Sequence, residues 1–272
     1  MSKERYYEPA PDHMDVADFR KVVDSRRSVR KFTDKPIPAE VLDDCLDMAM
    51  LAPNSSNLQQ WEFYVVKSPD KKAKLVEACL NQNAAGTAAE LIVIVARTAS
   101  WREHARLTLE HWPQPSIPKI VKDYYGRLAP FYYGQGPLGS WGRVKQGIAL
   151  VTGLFKPVPR GPYTATDMKI WAAKSVALAS ENLMLALRAH GFDSCPMEGF
   201  DEVRVKRLLN LPKDAFVVMV LGAGERARDG VYYPRLRFST ASALSIRSEG
   251  VQRPSSRLTK ATWAGSVTVF WS

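Results

Sequence analysis

An α/β or α+β chain layered around a single sheet is the class this sequence predicts, and three features carry that expectation. Segments with helical spacing of apolar residues alternate with short apolar runs of strand length. Hairpin signals are few, so helices rather than tight turns separate the strands. The composition, 46% hydrophobic and 24% charged over 272 residues, is that of a globular chain long enough to bury a core without disulfides or metal. It excludes disordered, collagen-like and low-complexity fibrous classes. The net charge of +10 favours phosphates, nucleic acids and anionic surfaces but does not bear on fold.

The elements follow in order. Residues 1–14 are polar and contain prolines, so they read as an arm; they lack the apolar stretch of a signal peptide. Val16, Phe19, Val22 and Val23 recur at helical spacing and predict an amphipathic helix over 15–25. It ends in the cluster Arg26-Arg27-Ser28-Val29-Arg30. Pro38 suits the first position of a second helix, which Val41, Leu42, Cys45, Leu46 and Ala49 continue to about Leu51. Ala52 to Asn57 is a loop by composition. Trp61 to Val66 reads as a strand, Ser68-Pro69 opens a helix through Leu80, and Leu91 to Ala96 reads as a buried strand. At six residues that run is far too short to span a membrane.

The stretch 98–165 differs from the rest. It holds eight of the 18 prolines, eight of the 16 glycines and ten of the aromatics, with nine basic residues against three acidic ones. It reads as a basic insert, either a loop region or a lid over a pocket, with some helix such as 117–128. Its polarity argues against a place in the core. Aromatics such as Trp112, Tyr124, Tyr125, Phe131 and Trp141 offer stacking surfaces.

From Thr166 a long helix runs to His190, and Gly191 supplies a left-handed stop. Phe192 to Pro196 is extended, Asp201 caps a helix through Leu209, and Phe216 to Leu221 is a strand. One domain over 15–239 with the insert inside it accommodates all of this. Residues 240–272, Ser/Thr-rich and nearly free of Asp and Glu, read as an arm or tail.

Several chemistries are excluded. Cys45, Cys79 and Cys195 are odd in number and widely spaced, so neither a disulfide framework nor a zinc site is expected, and no metal. His13, His104, His111 and His190 lie in no nucleophile or metal motif. Gly222-Ala223-Gly224 follows a strand but leads into Glu225-Arg226 rather than a helix, which argues against a dinucleotide fingerprint.

Four clusters remain, and each has an ordinary reading beside a functional one. Arg26, Arg27, Ser28 and Arg30 suit a solvated helix end, or a phosphate gripped by guanidinium forks and a hydroxyl. The run from Pro53 to Trp61 suits a turn, or small polar groups lining a polyol or heterocycle edge. Cys195 to Phe200 suits a strand-to-helix turn, or a glycine letting a backbone N–H approach a flat ligand. Arg235 and Arg237, two apart in an extended segment, reach the same side.

Together, in order and spacing, these clusters resemble the FMN-dependent nitroreductase family over about 15–238. RRSVRKF resembles its R-x-S-x-R/K-x-F signature, APNSSNLQQWEF its AP-S-x-x-N-x-Q-P-W-x-F segment, and GFDSCPMEGFD its strand-to-helix turn. The resemblance implies an α+β homodimer with a central, mostly antiparallel sheet flanked by helices and an FMN at each side of the interface. It implies a ping-pong oxidoreductase taking electrons from NAD(P)H to a nitroaromatic, quinone or similar small acceptor, with the flavin rather than a side chain carrying the chemistry. The expectation of a cytoplasmic protein comes instead from the missing signal peptide and the short apolar runs.

By the same resemblance, Arg26, Arg27 and Ser28 hold the FMN phosphate and ribityl chain, and Arg30 lies at the flavin N1/O2 edge. Pro53, Asn54, Ser55 and Asn57 reach the cofactor of the other subunit. Pro196, Met197, Glu198 and Gly199 form the turn on the flavin face, Gln82 reaches the pyrimidine edge, and Arg235 and Arg237 complete the phosphate site. Two departures stand out: Gln60 replaces the usual proline, and Ala84 and Ala85 stand where some members carry a lysine. A reductive dehalogenase-like or other specialised member of the same flavin fold is the alternative, with the insert as lid. A basic nucleic-acid-binding protein is more distant, since no RNP, KH or helix-turn-helix signature accompanies the charge.

Overall fold

The computed structural model describes residues 8–10 and 13–237. The tail over 240–272 and most of the 1–14 arm lie outside the described residues. The chain divides into two compact units, the second beginning at Tyr233.

The first unit is α+β. Helix α1 (Val16–Ser25) starts on Asp15, whose carboxylate accepts from the backbone N–H groups of Ala17 and Asp18. Helix α2 (Ala39–Met50) and strand β1 (Trp61–Val65) follow. After α3 (Pro69–Ala78) and a single turn, α4 (Asn83–Gly86), comes strand β2 (Glu90–Arg97). The insert carries α5 (Trp101–Glu110), α6 (Lys119–Asp123), α7 (Ala129–Tyr133) and α8 (Ser140–Thr152). The order closes with α9 (Ala165–Ala189), β3 (Asp193–Met197), α10 (Glu202–Leu208) and β4 (Ala215–Gly224).

The four strands form one sheet in the order β1-β2-β4-β3, with every neighbouring pair antiparallel. Strand β2 shows how the layers arise. All six residues from Leu91 to Ala96 are fully buried, so both faces of the strand are covered. Alternate side chains point to opposite faces. Ile92, Ile94 and Ala96 enter the core built with α2 and α9, whereas Leu91, Val93 and Val95 enter the core built with α3, α4 and α10. Helices therefore flank the sheet on both faces.

Helix α9 is the long spine of one layer. Its 25 residues span about 37 Å at 1.5 Å per residue. A capping box fixes its start: the Thr164 hydroxyl accepts from Asp167 N, and Asp167 Oδ2 accepts from Thr164 N. Gly191, at φ +88°, ends the path as the sequence predicts.

The insert corrects one expectation. It is largely helical, and Trp101, Ala105, Ala129 and Tyr133 belong to the main core. Its prolines and glycines punctuate helices instead of excluding them. Pro118 precedes α6, Pro130 lies in the first turn of α7, and Gly134, Gly136 and Gly139 occupy the breaks before α8. The predicted helix over 117–128 is α6 followed by a wider turn at Tyr124–Leu128. The insert is also stapled. Lys145, 4% exposed, donates to the carbonyls of Tyr132, Gly134 and Pro162 at 2.5, 2.8 and 3.2 Å. Burial pulls its pKa down, and three carbonyl dipoles satisfy the ammonium in place of water.

Gly222 and Gly224 lie within β4, not beyond it. A Cβ at Gly222 would stand 2.7 Å from the Ala84 carbonyl oxygen, so α4 rests directly on this strand. That close approach explains Ala84 and Ala85, which are buried at 1% and 0% and leave no room for a lysine. Gly147 is the opposite case: it sits in α8, and a Cβ added there would meet nothing within 4 Å. Equilibrium urea unfolding should therefore separate them. Gly222→Val is expected to cost about 1–3 kcal/mol through overpacking, and Gly147→Ala to add roughly 0.5–1 kcal/mol. A tolerated Gly222→Val would mean that α4 does not pack there.

Candidate functional site

The first cluster leaves α1 and runs along β3. Ser28 bridges Ser194, Val29 N donates to Ser194 O at 3.0 Å, and Arg30 N donates to Gly230 O at 2.7 Å. Val29 is fully buried and acts as the plug that locks this register, while Ser28 and Arg30 remain exposed. Arg26 is mostly covered, with Nε 3.8 Å from Glu181 Oε1 on α9. Burial pushes the Cys195 thiol pKa up, and the Arg30 guanidinium pulls it the other way.

The third cluster is the end of the same strand. Pro196 and Met197 close β3, and Glu198 and Gly199 are exposed in the turn that follows. Gln82, just before α4, donates through Nε2 to Gly199 O at 2.7 Å and to Cys79 O at 3.0 Å. Asp201 then caps α10 by accepting from Arg204 N. The structure thus ties the segment carrying Arg26, Arg27, Ser28 and Arg30 to the start of β3 through Ser28 and Val29, and ties Gln82 to the Glu198-Gly199 turn that follows Pro196 and Met197 at its end.

The second cluster is a strained turn held from outside. Ser55–Asn57 forms a short 3-10 turn where the sequence predicts a loop. Ser56, Asn57 and Gln59 have φ of 60°, 50° and 44°, a left-handed backbone that costs non-glycine residues about 1–3 kcal/mol each. Local bonds offset part of this. Asn54 Oδ1 accepts from Gln59 N at 2.8 Å, and Gln60 Nε2 donates to Ser55 O at 3.3 Å. Gln60, fully buried, thereby ties the turn at the position where a proline is usual.

The rest of the restraint comes from the insert. Ser56 Oγ lies 2.5 Å from Tyr124 Oη and 2.6 Å from Tyr133 Oη, and Tyr125 Oη donates to Ser56 O at 3.0 Å. His104 Nδ1 donates to Leu58 O at 2.6 Å. Ser55 N meets Ser175 Oγ of α9 at 3.3 Å. Beside the turn is a cleft of about 310 Å³ lined by Pro53, Asn54, Ser55, Trp171, Lys174, Ser175 and Leu178. Sequence reasoning gave no role to Tyr133 or His104, and included Ser56 in the Pro53–Trp61 run without singling it out. The Tyr pairs of the insert were a signal, but they point to stacking surfaces rather than to hydroxyls gripping a turn some seventy residues earlier.

The fourth cluster belongs to the second compact unit, where Arg235 and Arg237 are exposed and Arg237 Nη1 donates to Leu236 O at 2.8 Å. Among the described residues no group of three or more His, Cys, Asp and Glu could hold a metal, and no helix is long and apolar enough to cross a membrane. The described histidine contacts are structural: His190 Nε2 pairs with Asp44 Oδ2 at 2.7 Å, and His111 Nδ1 meets Leu107 O at 3.1 Å.

Residues 23–225 match the family model described as the nitroreductase family. The chain is 31% identical over 207 residues to Protein DrgA from Synechocystis sp., covering 75% of this chain and 82% of that protein. It is 28% identical over 222 residues to an NADH dehydrogenase from Thermus thermophilus, covering 82% and 92%. A solved structure from Exiguobacterium sibiricum, described as a nitroreductase in complex with FMN, superposes with a TM-score of 0.62 at 25% identity, covering 88% of this chain and 99% of the other.

The tyrosine grip makes a measurable claim. Ser56→Ala removes a hydroxyl that both Tyr124 and Tyr133 use, and should cost about 0.5–1.5 kcal/mol, since Tyr133 keeps Ser55 Oγ at 3.3 Å as a second partner. Tyr133→Phe should cost less in the Ser56→Ala background than in the native one, because the shorter of its two serine contacts is already gone. Chemical denaturation of the four proteins reads the coupling, and strict additivity would show that the contact does not restrain the turn.

Proposed function

The chain belongs to the nitroreductase family, and on that premise we propose that it is an FMN-dependent oxidoreductase passing electrons from NAD(P)H to a small acceptor such as a nitroaromatic or a quinone. The observation that carries the reading is the donor set on β3. Three guanidinium groups and a hydroxyl lie within Arg26–Arg30, locked to the strand whose exit turn carries Pro196, Met197, Glu198 and Gly199. Planar forks beside a hydroxyl fit a phosphate monoester, and an exposed turn with Gln82 at its edge fits a flat heterocycle. The family relatives support the same assignment, one being named for NADH and one solved with FMN.

FMN held there would supply the redox chemistry that links NAD(P)H to the acceptor in a ping-pong sequence. The chain's own residues do the rest. Arg26, Arg27 and Ser28 anchor the phosphate. Arg26 exchanges the long contact with Glu181 for the ligand. Arg30 brings a positive charge to the pyrimidine edge, and Gln82, whose Nε2 is engaged by Gly199 and Cys79, offers its side-chain oxygen as an acceptor at the same edge. No side-chain acid or base is required in this reading.

The active form in this reading is a homodimer, with Pro53, Asn54, Ser55 and Asn57 serving the neighbouring subunit's cofactor. Helix α1 supports it: none of its residues is buried, and Val16 and Phe19 are 73% and 61% exposed on an apolar face that a partner would cover. The insert then serves as a fixed wall beside the acceptor, its shape set by the Lys145 staple and the tyrosines on Ser56. The reading takes residues 15–239 as the catalytic domain and places it in the cytoplasm.

Flavin titration tests the assignment. FMN should bind the purified dimer, and Arg26→Ala should weaken it by about 1.5–3 kcal/mol, the worth of a charge-assisted contact. Full FMN retention by the variant would remove Arg26 from the phosphate site, and a flavin-loaded, fully active monomer in sedimentation would remove the shared-site arrangement.

A further inference from the structure

The segment Arg26-Arg27-Ser28 is suspended between two fixed points, and both belong to the first two residues of β3. On one side, Asp193 is 2% exposed and carries a carboxylate deep in the protein. Arg226 grips it with two parallel bonds, Nε to Oδ2 at 3.0 Å and Nη2 to Oδ1 at 2.6 Å. Arg188 at the end of α9 adds Nη1 to Oδ2 at 2.8 Å. The same Nη2 of Arg226 also donates to Ser25 O at 3.2 Å, the last residue of α1. On the other side, Val29 N donates to Ser194 O at 3.0 Å.

The Ser25 contact fills a gap in the helix. The last carbonyls of a helix lack intrahelical partners and carry partial negative charge, so a cation there is stabilising. The last turn of α1 has no basic residue of its own. Arg226, some two hundred residues away in sequence, supplies that cation and is itself aimed by a buried carboxylate. The bidentate geometry leaves its fork little freedom, so the position of the Ser25 carbonyl is inherited from β3. Backbone pairing reinforces this, with Phe32 bridging Arg226 and Ala227 N donating to Lys31 O at 3.1 Å.

We propose that Asp193 and Arg226 are positioning residues for the phosphate-binding segment. They clamp the exit of α1 while Ser194 clamps Val29, so that Arg26, Arg27 and Ser28 present their donors in a preset arc. This rests on the FMN reading above and adds a specific claim to it: the relay acts on the phosphate group and not on the ring. Neither residue touches the ligand. A buried pair that only stabilised the fold would have no reason to discriminate between a flavin with a phosphate and one without.

Riboflavin, which lacks the phosphate, therefore provides the control. The full-length protein and the variants Arg226→Met, Arg226→Lys and Asp193→Asn are titrated with FMN and with riboflavin, with thermal unfolding and far-UV circular dichroism as the fold check. The native protein should prefer FMN. Arg226→Met should lose about tenfold or more in FMN affinity, the lower range for one charge-assisted contact, with a clearly smaller loss for riboflavin, which shares only the ribityl chain with that segment. Arg226→Lys keeps a charge on Asp193 but lacks the fork, and should fall between the two. Should Asp193→Asn fail to fold, the two Arg226 variants still decide. An unchanged FMN-to-riboflavin ratio in folded Arg226→Met, or a parallel loss of both ligands, overturns the relay while leaving the FMN reading intact. A native protein that binds no FMN removes both.

Discussion

The turn at 55–59 cannot hold its shape by itself, and much of the molecule is arranged to hold it. Three non-glycine residues in left-handed backbone cost several kcal/mol that local bonds from Asn54 and Gln60 only partly offset. The remainder comes from Ser56 seated between Tyr124 and Tyr133, with His104 on the Leu58 carbonyl. Strain of this kind persists only where surrounding structure over-determines it. The insert is thus part of the site's construction even though every candidate cofactor residue lies outside it in sequence. Trp101 and Tyr133 in the main core, and Lys145 on three carbonyls, give it the rigidity that the grip demands.

The second organising element is β3. A short strand at the sheet edge would be a weak place to build, but its pairing with β4 and the burial of Asp193, Ser194 and Cys195 fix it. It then serves two parts of the site: the segment after α1 docks along its start, and the Glu198-Gly199 turn leaves its end against Gln82. Helix α9 links this region to the strained turn, meeting Arg26 through Glu181 and Ser55 through Ser175. Those two helix positions are about 9 Å apart along the axis.

The fold is legible in the sequence wherever periodicity and punctuation agree. The apolar spacing of α1 and α9, the run Leu91–Ala96 and the stop at Gly191 each rest on local physics and stand in the structure. The insert misleads because its prolines and glycines, which punctuate helices, have the composition of a loop. Gly222 misleads because a glycine pair reads as the end of a strand, whereas the real constraint is the carbonyl of Ala84 pressed against it. In the site, the clusters on β3 are visible as patterns of charge and glycine. The long-range partners are not: Ser56 with Tyr133, and Ser25 with Arg226 and Asp193, are joined only by the topology. No window of sequence contains both members of such a pair.

The role of β3 and of the strained turn hinges on whether this chain moves electrons from a nicotinamide to a bound flavin. Anaerobic stopped-flow mixing of the FMN-loaded protein with NADH or NADPH, followed at the flavin absorbance band, tests that most directly. Complete bleaching is expected, at a rate that saturates with nicotinamide concentration, before any acceptor is present. A protein that binds FMN but is reduced by neither nicotinamide until an acceptor is added, or at no rate above that of free FMN, would contradict it.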